Sequence, residues 1–150
     1  MSSHFSGVSV GTKSLTLATY TVNDHDHAGR TLKLNKADGI TVTLPASTGS
    51  GENYMFFVET TVTSVGYIIK VANASDVMAG NAIVANDAAD TASIFEAGAT
   101  ADTITLNGTT TGGILGGYVK VTDVSENLWF VEMVGAATGT EATPFSAAVS

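Results

Sequence analysis

The chain has 150 residues, of which 14 are acidic and 6 basic, giving a net charge of −8 at pH 7, and it contains no cysteine. The lack of cysteine excludes disulfides and thiolate metal sites. The basic residues are mostly scattered, so we expect no nucleic-acid partner, because binding to phosphate backbones needs clustered Lys and Arg. Charged residues make up only 13% of the chain. We therefore expect neutral polar side chains, or other chains, to cover much of its surface.

Residues 1–13 are predicted to form an extended N-terminal arm, because they are polar and glycine-punctuated with Phe5 as one large apolar anchor. The first five residues lack the basic region and the apolar run of a secretory signal. No segment of the chain has the length of a membrane helix. We therefore expect synthesis in a cytoplasm and no membrane association.

Alternating apolar and polar residues predict β-strands throughout residues 14–134. The clearest alternation lies in 40–44, 102–106 and 118–121, which are also rich in β-branched residues. No segment shows a helical period of comparable strength. The predicted strands are 14–22, 30–35, 40–44, 54–58, 67–71, 82–84, 92–95, 102–106, 118–124 and 128–134.

Turn-forming residues predict how these strands connect. Residues 23–29 are predicted to form a loop. Asp38-Gly39 predicts a hairpin between 30–35 and 40–44, and Ser125-Glu126-Asn127 predicts a last hairpin between 118–124 and 128–134. The segment 54–58 is apolar on both faces and is predicted to be a central, covered strand with 67–71 pairing back on it. No solenoid repeat is visible. These features predict an all-β fold, an antiparallel sandwich or barrel of jelly-roll-like type spanning 14–134.

Residues 135–150 are predicted to form a second arm at the C-terminus. The segment is rich in Ala, Thr and Gly, and it again has one aromatic anchor, Phe145, which follows Pro144. Together with His4 and Phe5, these two residues are the candidate contacts of the arms with a larger assembly.

Asp24-His25-Asp26-His27 is the one cluster with metal-ligand character. His25 and His27 alone are too few for a tetrahedral site, and His4 could join them only if the N-terminal arm docked nearby. We therefore predict no metal and no cofactor. The glycine-rich segment 112–117 lacks the Lys-Ser/Thr of a phosphate-binding loop, and no serine hydrolase motif is present, so we expect no enzyme activity.

Aromatic side chains in the strands could stack on sugars, although their positions favour the core. They are Tyr20, Tyr54, Tyr67, Tyr118 and Trp129.

The segments 40–51, 67–80 and 94–108, together with the ending 139–148, resemble small structural proteins of tailed bacteriophages. The small size and the lack of a long fibrous region are most similar to a head decoration, or cement, protein. The resemblance implies attachment to the major capsid protein on the outside of the virion, as a trimer. Fibre modules have similar sequence segments, so a receptor- or glycan-binding module of a head or tail fibre stays open as an alternative.

The physical properties of the chain agree with attachment to a shell. Few charges allow close, dehydrated contacts, and arms that become ordered on docking can span neighbouring subunits. Repeated weak contacts on a lattice produce avidity. The acidic character suits a capsid exterior, away from packaged DNA.

Overall fold

A computed structural model describes residues 11–150 of the chain, and this part of the molecule is built almost entirely of strands. The strands are β1 Thr12–Leu15, β2 Thr19–Thr21, β3 Thr31–Leu34, β4 Ile40–Thr43, β5 Asn53–Val58, β6 Tyr67–Lys70, β7 Val77–Asn86, β8 Ala92–Glu96, β9 Thr103–Leu106, β10 Tyr118–Ser125, β11 Leu128–Ala137 and β12 Phe145–Ser146. A one-turn helix, α1, covers Asp24–His27 within the predicted loop 23–29.

The strands form two sheets that pack face to face. The seven-stranded sheet has the order β1-β3-β5-β10-β11-β7-β8, and the five-stranded sheet has the order β12-β9-β6-β4-β2. Alternation along each strand sends every second side chain into the space between the sheets. The core there includes Leu32, Phe56 and Trp129 from the larger sheet and Val42 and Ile69 from the smaller one. The predicted all-β sandwich is confirmed.

The first six strands wind around this core like a solenoid. They alternate between the sheets, so that β1, β3 and β5 pair in parallel in one sheet and β2, β4 and β6 pair in parallel in the other. Leu15 lies beside Leu34, and Leu34 beside Val58. The expectation of no solenoid-type repeat is therefore wrong for this half of the chain. The spacing is irregular, 19 residues and then 24, which hides the repeat in the sequence.

The two hairpins predicted in this half are wrong. The turn at Gly39 exists, with its amide donating to the Lys36 carbonyl at 2.9 Å, but β3 and β4 on either side of it lie in opposite sheets. Strand β6 pairs with β4 and β9 rather than with β5. The reason is that β3 and β4 each have one apolar face. When the chain passes from one sheet to the other between them, both apolar faces are buried in the core. Five of the ten strand pairings described are parallel, so the antiparallel, jelly-roll-like arrangement is corrected to two mixed sheets.

The second half of the chain contains true hairpins. β10 and β11 form the predicted last hairpin. β7 and β8 form another hairpin, and both strands extend beyond the predicted bounds 82–84 and 92–95. β7 also pairs in parallel with β11 over ten residues. At Gly80 this ladder is tight, because a Cβ there would lie 2.0 Å from the Val131 carbonyl oxygen, and its φ of +137° also favours glycine.

The C-terminal segment belongs to the sandwich. β12 pairs with β9, placing Phe145 beside Ile104, and both Pro144 and Phe145 are buried. Within the predicted arm 135–150, β11 runs to Ala137 and Phe145 lies in β12 of the chain's own five-stranded sheet, so these residues belong to the sandwich, while a role of Pro144 and Phe145 in capsid contact stays a prediction. The apolar ring of Phe145 covers the end of the core. Of the predicted arm 1–13, β1 already begins at Thr12, while His4 and Phe5 lie outside the described residues.

Candidate functional site

An exposed apolar stripe crosses the outer face of the seven-stranded sheet. It consists of Ile94, Ile83, Val134, Tyr118 and Phe57, which are cross-strand neighbours on β8, β7, β11, β10 and β5 in that order. At about 4.8 Å per strand the stripe is roughly 20 Å long. Ile94 is 68% exposed, Ile83 42% and Val134 40%. These side chains contribute little to the chain's own core.

The same strands have already supplied the core from their other face. Ala82 and Val84 of β7 and Met133 of β11 point inward and are buried. Large apolar side chains on the outer face are therefore not needed to hold the sandwich together. A contiguous apolar patch of this kind marks an interaction surface more often than a solvated one.

A shallow groove of about 240 Å³ adjoins the stripe. Ile83, Tyr118, Phe130 and Val134 line it, with Glu132 among the polar residues at its border. Phe130 is 40% exposed on the same face of β11. The groove widens the apolar surface from a single row of side chains to a patch.

The outer face of the five-stranded sheet has a different character. Threonines alternate along its strands and align across them, with Thr19 beside Thr41 and Thr21 beside Thr43. Thr105 extends the set on β9 next to Ile68. This face presents hydroxyl groups that water can solvate, so it is a natural reference surface for the apolar stripe.

The second feature is a cleft of about 360 Å³ at one end of the sandwich, where β2 and β4 end and β5 and β11 begin. The residues that line it come from both sheets and from the loops between them: Thr21, Val22, Asn23, Asp24, Pro45, Ala46, Thr48, Ser50, Glu52, Tyr54, Asp123 and Trp129. Its volume falls in the range of small-molecule sites.

One buried carboxylate fixes the loop 47–50 that forms a wall of this cleft. Asp123 is 3% exposed and accepts hydrogen bonds from the amide of Gly49 at 2.7 Å, the hydroxyl of Ser50 at 2.8 Å and the amide of Thr48 at 3.0 Å. The hydroxyl of Ser47 donates to it at 2.9 Å. Burial alone would raise the pKa of Asp123, but these hydrogen bonds outweigh burial and lower the pKa to about 2. The wall is thus rigid and tied to the seven-stranded sheet.

Tyr54 and Trp129 lie at the base of the cleft, each 1% exposed, with ring centroids 6.0 Å apart. The buried Trp129 Nε1 donates to no described atom. Burial, and then the negative charges of Glu52, Asp24 and Asp123, raise the pKa of Tyr54 to about 12. Tyr54 and all three acids line the cleft.

The two candidate histidines lie on one helical turn but in different environments. His25 and His27 lie on the single turn of α1, where the His25 side chain is 91% exposed and His27 is buried. The His27 Nδ1 accepts a hydrogen bond from the Asn23 amide at 3.1 Å, and burial lowers the pKa of this histidine. Within residues 11–150, no group of three or more His, Asp or Glu side chains is placed to hold a metal ion.

Sequence reasoning missed both features, although each left a signal. The apolar character of both faces of 54–58 was interpreted as a covered strand, but Phe57 is half-exposed as part of the stripe. In 118–124 the inward positions hold Val119, Val121 and then Asp123. A carboxylate continuing an apolar inward series indicates a buried polar network, and this could have located the wall of the cleft.

No protein-family model, curated protein or solved structure matches this chain. Among the described residues, no helix has the length and apolar character to cross a membrane.

Proposed function

We propose that the chain is a structural virion protein that binds the outer surface of a phage capsid and stabilises the shell. The observation that carries the proposal is the apolar stripe on a flat, sparsely charged sheet face. The resemblance of several sequence segments to phage decoration proteins supports the identity of the assembly. The same resemblance supports a homotrimer as the attached form.

The stripe suits a contact of this kind energetically. Covering Ile94, Ile83 and Val134 removes apolar surface from water, worth roughly 1 kcal/mol or more for each side chain. One such contact is weak once the cost of association is included. On a capsid lattice the contact repeats with symmetry, and a multivalent attachment then becomes strong.

The net charge indicates the kind of partner. A chain with a net charge of −8 is attracted more strongly by a basic surface than by an acidic one. The charges bordering the stripe are few and of both signs, with Lys120 opposite Glu132 and Lys33 3.3 Å from Glu59. We therefore assign the stripe to the major capsid protein.

The direct test is co-sedimentation with capsids of the encoding phage assembled without this protein. We expect the wild-type chain to pellet with the capsids and to saturate at a fixed ratio to the major capsid protein. No pelleting with such capsids, at salt concentrations from low to physiological, would contradict the proposal.

A truncation separates the two candidate contacts. Deleting residues 1–10 leaves every described strand present and removes His4 and Phe5, the predicted anchors of the N-terminal arm. We expect the truncated chain to keep its melting temperature and to lose capsid attachment. Unchanged attachment would refute the anchoring role of the N-terminal arm and leave the stripe as the contact.

A receptor- or glycan-binding module of a fibre is the second candidate function. The feature that favours it is the cleft above Tyr54 and Trp129, since a protein that only binds the capsid does not need such a cleft.

A further inference from the structure

The cleft contains polar groups for which the fold itself has no use. The Tyr54 hydroxyl makes no hydrogen bond to a described residue but keeps accessible surface, whereas Trp129 Nε1 is buried without a partner. Leaving a buried donor such as Trp129 Nε1 unpaired costs free energy, and the Tyr54 hydroxyl is free to bond to water or a ligand. In the wall of the cleft, Asp123 and Ser47 each take part in several hydrogen bonds within the protein. The Tyr54 hydroxyl at the base differs from them because it is open to an outside partner.

The rim supplies acceptors. Asp24 is exposed and Glu52 half-buried, and both line the cleft, beside the hydroxyls of Thr21 and Thr48. Pro45, Ala46 and Val22 add apolar surface between these polar groups. Donors at the base, acceptors at the rim and apolar walls between them match a ligand that carries hydroxyl groups on a carbon ring.

Charge and burial exclude the other small-ligand classes. Two carboxylates at the rim disfavour phosphates and organic acids. Both aromatic rings are almost completely buried, so they offer no open face to a cationic amine. A cationic amine would also offer no acceptor to the Tyr54 hydroxyl. A neutral sugar can satisfy both donors and acceptors, because each hydroxyl donates and accepts.

We propose that this cleft binds a neutral saccharide, with the Tyr54 hydroxyl donating at its base beside the buried Trp129 and with Glu52 and Asp24 accepting at its rim. The site is independent of capsid attachment, since it lies at the end of the sandwich and shares no lining residue with the groove beside the stripe.

The chain offers a site-specific probe, because Trp129 is its one tryptophan. We would titrate the full-length protein with glucose, galactose, N-acetylglucosamine, maltose, lactose and chitobiose and follow tryptophan emission. Saturation-transfer NMR would detect binding without regard to position. The expected result is a saturable change in Trp129 emission with at least one of these sugars and a saturation-transfer signal from the same sugar.

Variants localise the binding. Tyr54→Phe removes one hydroxyl that has no partner in the protein, so it should leave the melting temperature unchanged and weaken binding roughly fivefold or more. Tyr118→Phe removes a hydroxyl from the outer face and serves as the matched control, with unchanged affinity. Glu52→Gln at the rim is a second variant and should also weaken binding.

Three results would overturn the proposal. One is the absence of any saturable response to all six sugars at concentrations up to the solubility limit of each. Another is a saturation-transfer signal that Tyr54→Phe and Glu52→Gln both leave unchanged, which would place the sugar elsewhere. The last is a response to ethanolamine or lysine in place of the sugars, which would make the cleft a cation site. None of these results bears on capsid co-sedimentation.

Discussion

The outer faces of the two sheets differ although the strands beneath them follow the same alternation. The five-stranded sheet presents aligned threonines such as Thr19 and Thr41, whereas the seven-stranded sheet presents Ile83, Val134 and their neighbours. Both sheets contribute inward residues to one core, so the core does not require this asymmetry. The difference supports our proposal that the apolar face contacts another molecule while the threonine face is solvated.

The largest effect is expected when charge is placed on each face in turn, which tests whether the apolar face alone mediates capsid binding. Ile83→Lys with Val134→Lys puts two lysines on neighbouring positions of the apolar stripe. We expect capsid affinity to fall at least about 100-fold, or about 2.7 kcal/mol, because the lysines would have to be desolvated in the contact. Co-sedimentation with a range of protein concentrations measures the change.

The matched control carries the same charge change on the other face. Thr19→Lys with Thr41→Lys also alters cross-strand neighbours on adjacent strands. Its capsid affinity should stay within about threefold of wild type. Equal losses from both double variants would show that net charge, and not the stripe, governs attachment.

The comparison assumes that the two sheets hold together as one body, and Asp123 on β10 contributes by holding the loop 47–50, which connects β4 of one sheet to β5 of the other. Asp123→Asn keeps the volume but replaces one acceptor oxygen by a donor, facing the amides of Thr48 and Gly49. We expect the free energy of unfolding to fall by about 2 to 3 kcal/mol. Chemical denaturation measures it. Asp38→Asn, at an exposed surface pair with Lys36, should change it by less than about 0.5 kcal/mol.

A second buried carboxylate holds the edge of the threonine-bearing sheet. Asp102 accepts hydrogen bonds from the amides of Ala148 at 2.9 Å and Ser150 at 2.8 Å. Asp102→Asn should cost about 1 to 2 kcal/mol and speed amide exchange in β12 and β9, while β10 and β11 keep their protection. Faster exchange spread evenly over both sheets would contradict this local role.

Acid should weaken the hydrogen bonds accepted by Asp123 and by Asp102 over the same pH range. The pKa of Asp123 is lowered to about 2 in the folded state, and the pKa of Asp102 is lowered as well, because hydrogen bonds outweigh burial in each case. Their stabilising contribution is present above the unfolded pKa near 3.9 and is lost as pH falls toward 2. Denaturation between pH 6 and 2 should show this decline, with a shallower slope for Asp123→Asn. An identical slope for that variant would show that Asp123 does not contribute to the loss of stability at low pH.

The smallest expected effect concerns the base of the cleft. Tyr54→Phe should change the free energy of unfolding by less than about 0.5 kcal/mol, because the hydroxyl has no partner in the protein to lose. Tyr67→Phe is the contrasting variant, since the Tyr67 hydroxyl donates to the Leu34 carbonyl at 3.1 Å and should cost about 1 kcal/mol. Thermal denaturation of the two variants compares them.

Period-two alternation was sufficient to predict the fold class, the strands between 102 and 134 and the last hairpin. It could not predict which sheet a strand joins, because a turn such as the one at Gly39 serves a hairpin or a crossing of the core equally well. The parallel winding of β1 to β6 was hidden by unequal spacing. The stripe and the cleft depend on register between distant strands, as between Ile83 and Val134, which no local pattern reveals.

A reconstruction of the decorated capsid by electron cryomicroscopy tests the central claim most directly. Our account predicts that the seven-stranded sheet faces the shell, with Ile83 and Val134 in van der Waals contact with the major capsid protein and the threonine face toward solvent. A particle in which the threonine face lies on the shell, or in which the stripe stays open to water, would contradict it.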